Sequence, residues 1–440
     1  MTSFPTKPIP RLGVAALSSP LEVGADRAEA AAAGAARRLE ALGCHCINAG
    51  AVDTPRKATS TGLRFAESHV HAVVLVAACW FEDYLALDLL EECPLPLVLW
   101  GLPGMETGAL CGTQQLSFAL RRLGHPYTAV FGAADDVSLD GPLSRFAAAA
   151  ALHHRLRRAK IGLVGHAVYG MSDASVCELA LKKSIGPRIV PLDVPSLLDR
   201  AGQLSTDKAR EVWGKLVSGC GGCNVGEGEG IDSMRILAAF EELIDRYALD
   251  ALAVGCYPHL MGRVCLAASV LADRGIPLGC EGDVGGTVGQ LILTLLTGQP
   301  THNTDWLEPL DDGTVVLSHC GSGSFRLAES PERITLSHVR LMDQGVCALF
   351  PGKPGPVTLV NLVPKGDTYQ LAVLEGEAVP TDMVFPGNPT RVRFERSTGE
   401  LIEWIHRNGL GHHWMIGYGH VRETIWPWAE TFARNLVVVR

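Results

Sequence analysis

Residues 275–298 read GIPLGCEGDVGGTVGQLILTLLTG, and this pattern is that of a short strand, an acidic glycine-rich turn and an apolar helix. The helix ends at Gly298, and Glu281 stands where the strand ends. Ligands of α/β proteins bind at the carboxyl ends of the strands. The segment therefore predicts an α/β domain with an acidic side chain in its ligand crevice.

A second acid, Asp305, follows Glu281 by 24 residues, so the two acids lie on either side of the helix and both could reach the same crevice. Two carboxylates that face each other repel strongly unless one is protonated or a cation lies between them. Oxygen ligands favour Mg²⁺ or Mn²⁺, and a histidine ligand shifts the preference towards Mn²⁺. The run GLGHHWMIGYGH at 409–420 supplies such a histidine.

Outward from this segment, strand and helix patterns alternate over the first two thirds of the chain. Apolar runs of strand length at 11–17 and 71–77 are separated by helical periodicity, and the alternation restarts at residue 160. From about Gly313, short β-type runs separated by Gly, Pro, Asp and Asn take over. The sequence predicts two doubly wound parallel-sheet α/β domains, 1–156 and 157–310, followed by a β-rich, barrel-like domain, 311–440.

The composition excludes several classes of protein. A chain with 47% hydrophobic and 19% charged residues buries a large core and is not disordered. A net charge of −9 without a dense basic run argues against a nucleic-acid partner. No apolar stretch reaches the roughly 18 residues of a membrane span, and no export signal opens the chain. We therefore expect a cytoplasmic protein whose thirteen scattered cysteines are reduced and mostly buried.

Several segments resemble known binding motifs but lack residues that those motifs require. The first strand-to-helix turn, 16–24, lacks GxGxxG, which disfavours a dinucleotide. The stretch Gly226–Gly230 has two carboxylates and no lysine, so it is no phosphate loop, and we expect a mobile acidic loop there. Cys220 and Cys223 have CxxC spacing, but no second pair is nearby to complete a zinc site.

Taken together, the motifs resemble the L-fucose isomerase family, which is related to the L-arabinose isomerases. The central match is CEGDVGG at 280–286 with an acid 24 residues beyond its glutamate. Further matches are spread over all three predicted domains: CW at 79–80, WGLPGME at 100–106, VGCYP at 254–258, SHCG at 318–321, HH at 412–413 and YGH at 418–420.

This resemblance implies an aldose–ketose isomerase whose Mn²⁺ ion, or Co²⁺ or Mg²⁺, is held by Glu281, Asp305 and His413. Glu281 and Asp305 would also be the catalytic acid/base pair. The resemblance further implies a homo-oligomer, usually a hexamer, with active sites shared between subunits, and a substrate contact from Trp80 of a neighbouring subunit. Tyr257 and His319 are further candidate substrate-binding residues.

Asp283 and His420 are not assigned as ligands. Asp283 is expected to be the N-cap of the helix that follows it, or a partner of a ligand. His420 is expected to orient the loop that carries His413.

The chemistry agrees with the resemblance, because interconverting an aldose and a ketose passes through a cis-enediol that a divalent ion stabilises. The loop after the first strand carries no arginine, unlike relatives that act on L-fucose, so the sequence does not identify the exact sugar. A 6-deoxy or 6-substituted hexose is expected, either L-fucose-like or sulfoquinovose-like. An anionic tail would need a basic partner such as Arg56, Lys57 or Arg64. Two alternatives remain: a non-enzymatic sugar-binding or regulatory protein, and a metal-dependent aldolase or epimerase.

Overall fold

The computed structural model describes residues 7–440, which form two compact units. The first consists of Pro8–Arg155 with Glu423–Arg434, and the second mainly of Leu156–Arg422 with Asn435–Arg440. The division into three domains at 156 and 310 stays a prediction.

The first unit is a five-stranded parallel sheet flanked by helices, in the strand order β2-β1-β3-β4-β5. Both faces of the sheet are covered. Val74 and Val76 pack in one apolar cluster and Val73 and Leu75 in another, which explains why the strands read as continuous apolar runs. The elements are β1 (Arg11–Leu17), α1 (Ala28–Ala41), β2 (His45–Val52), α2 (Pro55–Glu67), β3 (Ala72–Ala77), α3 (Tyr84–Glu92), β4 (Leu97–Gly101), α4 (Ala109–Leu123), β5 (Tyr127–Phe131) and α5 (Asp140–Leu156).

The second unit begins with a four-stranded parallel sheet in the order β10-β9-β6-β7. Its elements are β6 (Lys160–Val164), α6 (Glu178–Ser184), β7 (Arg188–Leu192), α7 (Val194–Gln203), α8 (Thr206–Ser218), β8 (Gly222–Cys223), α9 (Glu227–Tyr247), β9 (Ala251–Val254), α10 (Cys265–Asp273), β10 (Leu278–Gly279) and α11 (Val284–Thr297).

The prediction of a mobile acidic loop at Gly226–Gly230 is wrong, because α9 begins at Glu227. Glu227 and Glu229 lie in its first turn, where the helix dipole favours negative charge. Gly230 lies against Trp213, since a Cβ there would come within 2.2 Å of the indole ring. The glycines that suggested flexibility thus include one required for helix packing.

A closed antiparallel barrel follows, in the strand order β15-β18-β11-β12-β17-β16 with β16 pairing back to β15. Strand β19 adds in parallel to β16, and β8, β13 and β14 form a small separate sheet. The elements are β11 (Thr301–Pro309), β12 (Thr314–Ser318), β13 (Thr335–Val339), β14 (Gln344–Leu349), β15 (Gly355–Lys365), β16 (Thr368–Val379), β17 (Thr390–Phe394), α12 (Thr398–Asn408), β18 (His413–Tyr418), α13 (Arg422–Thr431) and β19 (Val437–Val439).

The predicted fold class, two doubly wound parallel sheets followed by a β-rich barrel, is confirmed. Within residues 7–440, no helix is long and apolar enough to cross a membrane. All thirteen cysteines are free of disulfide bonds, and seven are buried.

Helix α11 joins the central sheet to the barrel. Residues 284–296 are all buried, and the helix packs on β9 and β10 and on the outer face of β15 and β18. Its glycines allow this approach. A Cβ on Gly285 would lie 2.4 Å from the carbonyl oxygen of Leu362, and one on Gly286 would lie 2.5 Å from Cε of Met415. The N-terminus of α11 is therefore held directly against the barrel.

We expect Gly285→Ala to lower the free energy of unfolding by about 1–3 kcal/mol, because the added methyl group meets backbone that cannot move aside. The matched control is Gly289→Ala on the same helix. Its Cβ would meet only side-chain atoms of Met415 and Val360 at 3.3 and 3.4 Å, and alanine is the better helix former by about 1 kcal/mol. Urea unfolding midpoints compare the two, and equal destabilisation would contradict the packing argument.

Candidate metal centre

The turn before α11 presents Glu281 in an unusual backbone conformation. Glu281 has a φ of 61° and Gly282 a φ of 70°, a region that side-chain-bearing residues rarely adopt. The turn is held by two backbone hydrogen bonds: Val168 N–H donates to the Glu281 carbonyl at 3.0 Å, and Gly282 N–H donates to the Val254 carbonyl at 2.8 Å. Strain of this kind at a partly buried acid is typical of functional sites.

His413 and Asp305 reach the same place from the barrel. They are direct cross-strand partners on β18 and β11, so both side chains project from one face of the sheet. Nε2 of His413 lies 2.9 Å from Oε2 of Glu281 and 3.8 Å from Oδ1 of Asp305. The three residues that the family resemblance implies as metal ligands are therefore brought together.

Asp283 supports this arrangement from the first turn of α11. One carboxylate oxygen accepts from Gly286 N–H at 2.8 Å, which confirms the expected N-cap. The other lies 2.9 Å from Nδ1 of His413. A single buried carboxylate therefore caps the helix and fixes the imidazole ring, as carboxylates commonly do for metal-ligating histidines.

His319, which follows β12, completes the inner wall of the site. Its Nε2 lies 3.9 Å from Oε2 of Glu281 and 4.0 Å from Oδ2 of Asp305. Burial lowers the pKa of His319, although Asp305 acts in the opposite direction. At neutral pH the ring is therefore uncharged, and one of its nitrogens can donate a hydrogen bond while the other can accept one.

The charges of the site are tightly coupled. Burial works to lower the pKa of His413, but the hydrogen bonds to Asp283 and Glu281 outweigh it and raise the pKa to about 10. Burial likewise works to raise the pKa of Glu281, but the hydrogen bond to His413 outweighs it, and the pKa lies below its usual value. An imidazolium thus compensates the carboxylates in the metal-free chain.

The donor set fits a divalent cation. Oδ1 of Asp305 is buried yet makes no hydrogen bond, which leaves a carboxylate oxygen available to a ligand. Two groups of side chains that share His413 have ligand atoms within 4.8 Å of one another. One consists of Glu281, His319 and His413, and the other of Asp305, His412 and His413. Two carboxylates and an imidazole suit Mn²⁺ or a similar ion.

Two supporting residues escaped the sequence analysis. Asn361 on β15 donates from Nδ2 to the carbonyls of Gly411 and His413 and accepts from Gly411 N–H, so it fixes the entry to β18. Asp173 accepts from His412 at both the backbone and Nδ1. The hydrogen bond from His412 holds the pKa of Asp173 well below its usual range. A lone asparagine inside the apolar run 357–363 was the available signal for Asn361.

The remaining candidate residues lie elsewhere. Tyr257 lines a cavity of about 710 Å³ at the carboxyl ends of β6, β7 and β9, together with His166, Tyr169 and His259. The exposed His420 lies 3.3 Å from the carbonyl of Gly376, whereas the backbone around His413 is fixed by Asn361.

In the first unit, Trp80 is half-buried, and its indole N–H donates to Oε1 of Gln115 at 3.1 Å. Of the three basic residues considered for an anionic tail, Arg56, Lys57 and Arg64, all on α2, Lys57 is paired with Asp53.

No protein-family model matches the chain. Sequence comparison finds relatives that are named sulfoquinovose isomerase. The protein of Priestia aryabhattai is 24% identical over 370 residues, covering 80% of this chain and 82% of the relative. That of Clostridium sp. (strain MSTE9) is 24% identical, covering 76% and 78%, and that of Alkalicoccus urumqiensis is 23% identical, covering 84% and 85%.

Comparison with solved structures finds alignments with low TM-scores. An unliganded arylmalonate decarboxylase aligns with a TM-score of 0.15 at 13% identity, covering 62% of this chain and 88% of the other. A periplasmic solute-binding protein from Actinobacillus succinogenes with bound D-allose aligns with a TM-score of 0.16 at 9% identity, covering 66% and 92%. Scores this low carry no argument about fold or function.

The raised pKa of His413 predicts that cation affinity depends on pH. Because a cation must displace the proton from Nε2, we expect Mn²⁺ affinity to rise by up to about tenfold per unit between about pH 7 and 9. The stability of the metal-free fold changes with pH in the opposite direction. The protonated ring stabilises it fully below about pH 6.5, and this contribution is lost as pH rises through about 10.

Calorimetric titration in buffers of different ionisation enthalpy counts the protons released when Mn²⁺ binds. The control is Asp283→Asn, which keeps an N-cap side chain but removes the charge beside Nδ1, so proton release at neutral pH should fall. Affinity that is independent of pH in the unmutated protein would contradict the coupling.

Proposed function

We propose that this chain interconverts an aldose and a ketose through a cis-enediol, at a divalent-metal site formed by Glu281, Asp305 and His413. The observation that carries the proposal is the convergence of two carboxylates and an imidazole at the N-terminus of α11, with one oxygen of Asp305 left without a hydrogen bond. A sugar-binding protein has no need of paired acids in this arrangement.

The class of enzyme has independent support. The chain is an aldose–ketose isomerase by its similarity to four proteins named sulfoquinovose isomerase, which confirms the class of enzyme expected from the sequence. The metal, the L-fucose isomerase family and the individual site residues remain part of the proposal.

The two acids differ in their surroundings, which suggests a division of labour. The Glu281 side chain is 13% exposed and hydrogen-bonded to His413, whereas that of Asp305 is 31% exposed. Asp305 is therefore the better placed to accept the proton from C2 of the sugar, while Glu281 handles the proton of the neighbouring hydroxyl group. Neutral His319 lies within reach of both and would hydrogen-bond a substrate hydroxyl. A divalent cation, when bound, would offset the negative charge that develops on O1 and O2.

For the substrate we propose a 6-substituted hexose of the sulfoquinovose type, as the names of the relatives suggest. The cavity lined by Tyr257 adjoins the Glu281 turn, since Gly282 packs against the carbonyl of His166. Its histidine and tyrosine side chains offer hydrogen bonds, but the described residues that line it also include the carboxylate of Asp193 and no lysine or arginine. This cavity is therefore the proposed location for hydroxyl groups at the far end of the sugar, and an anionic tail would need a basic partner from elsewhere.

We also propose that the active enzyme is a homo-oligomer, with Trp80 of one subunit contacting the sugar in the site of the next. Two further expectations stay predictions: a hexameric assembly and a cytoplasmic location.

Glu281→Gln and Asp305→Asn should each lower turnover by at least about 100-fold, because each removes a proton acceptor and weakens cation binding. The measurement is exchange of the C2 proton of sulfoquinovose in D₂O with Mn²⁺, and again with EDTA, together with detection of the ketose. The matched control is Glu308→Gln, an exposed glutamate on the same strand as Asp305, which should retain full activity.

The two readouts separate the alternatives. Exchange without ketose would indicate an epimerase or aldolase, and no exchange with any hexose would indicate a binding protein. Normal turnover in both acid variants would overturn the proposed site.

Trp80→Ala should raise KM while leaving the metal content unchanged, because the indole is proposed to contact only the sugar. Steady-state kinetics and elemental analysis measure the two quantities, and sedimentation velocity measures the assembly. The control is Gln115→Ala, which removes the hydrogen-bond partner of the indole but not its surface. A fully active monomer would contradict a shared site.

A further inference from the structure

A group of cysteines lies immediately behind the candidate metal centre. Cys256 lies two residues after β9, and Cys265 begins α10. Cys280 precedes Glu281, and Cys320 follows His319. They come from separate parts of the second unit and make no disulfide bonds. The proposed isomerase chemistry assigns no role to any of them.

The spacing of the sulfur atoms around Cys320 is that of a metal-thiolate site. Sγ of Cys320 lies 3.9 Å from Sγ of Cys280 and 3.9 Å from Sγ of Cys265. Two thiolates bound tetrahedrally to zinc, with Zn–S bonds of about 2.3 Å, are about 3.8 Å apart. Bonded sulfurs of a disulfide would instead be about 2.0 Å apart.

His319 adds a nitrogen ligand to this arrangement. Its Nδ1 lies 3.2 Å from Sγ of Cys320, on the side of the ring opposite to the carboxylates. The ligand atoms of Cys280, His319 and Cys320 all lie within 4.8 Å of one another. The hydroxyl of Ser322 lies 3.5 Å from Sγ of Cys280 and 3.9 Å from Sγ of Cys320. Its oxygen is available as the fourth ligand.

We propose that Cys280, Cys320 and His319 form a second cation site, selective for a soft divalent ion of the zinc class and separate from the carboxylate site. Thiolate and imidazole ligands select such ions, whereas the oxygen-rich set of Glu281 and Asp305 suits harder ones. This inference goes beyond the proposed function and does not depend on the reaction or the sugar.

The shared imidazole couples the two sites. With Nδ1 bound to the soft cation, the remaining proton of His319 is on Nε2, which faces Glu281 and Asp305 at 3.9 and 4.0 Å. A cation in the thiolate site therefore sets the tautomer and orientation of the ring that forms the inner wall of the candidate active site.

X-ray absorption spectroscopy of the full-length protein loaded with Zn²⁺ tests the site without any substitution. The expected result is a shell of two sulfur atoms at about 2.3 Å together with nitrogen and oxygen neighbours. A shell of nitrogen and oxygen alone would overturn the proposal, because the carboxylate site contains no sulfur.

Substitutions then assign the ligands, with Co²⁺ as the probe. The unmutated protein should show a thiolate-to-cobalt charge-transfer band, and Cys280→Ser and Cys320→Ser should each abolish it. Glu281→Gln should retain the band, which separates this site from the carboxylate site.

The matched control is Cys347→Ser, a buried cysteine of the same region whose Sγ faces the carbonyl of His338. It should also retain the band. A band that survives both Cys280→Ser and Cys320→Ser, or that is equally lost in Cys347→Ser, would overturn the assignment.

Discussion

The contact between the N-terminus of α11 and the outer face of the barrel holds the candidate site together. Glu281 and His413 are 132 residues apart in the chain, yet their side chains are hydrogen-bonded. The approach requires Gly285, where any side chain would meet the backbone of β15. Asp283 strengthens it, because the same carboxylate caps the helix and binds the imidazole. The geometry of the site therefore depends directly on how the N-terminus of α11 packs against the barrel.

Electrostatics follow from this geometry. Burying carboxylates is unfavourable unless they are paired or hydrogen-bonded, and here the compensating charge is an imidazolium between Asp283 and Glu281. Oδ1 of Asp305 makes no hydrogen bond and lies 3.8 Å from Nε2 of His413. The features that stabilise the metal-free chain are therefore the same groups that would hold the proposed cation.

The sequence predicted the fold class well where the pattern is local and strong. The first strand, Arg11–Leu17, matches its apolar run, because every residue after Arg11 is buried in a sheet that is covered on both faces. The prediction from sequence was wrong where tertiary packing, rather than local composition, decides the secondary structure. Residues 227–230 of the acidic stretch form the first turn of α9, with Gly230 packed against Trp213, and α12 (Thr398–Asn408) was not predicted among β-type runs.

The sequence by itself determined the class of elements and the chemical types of the site: an acid after a strand, a second acid beyond a helix, and a histidine pair near the C-terminus. Only the tertiary structure decided which atoms meet. The pairing of Asp305 with His413 is a matter of strand register, and the holding of His413 by Asn361 depends on a third strand. Periodicity records each residue's immediate neighbours, whereas register and close approach depend on contacts between distant segments, which no local pattern encodes.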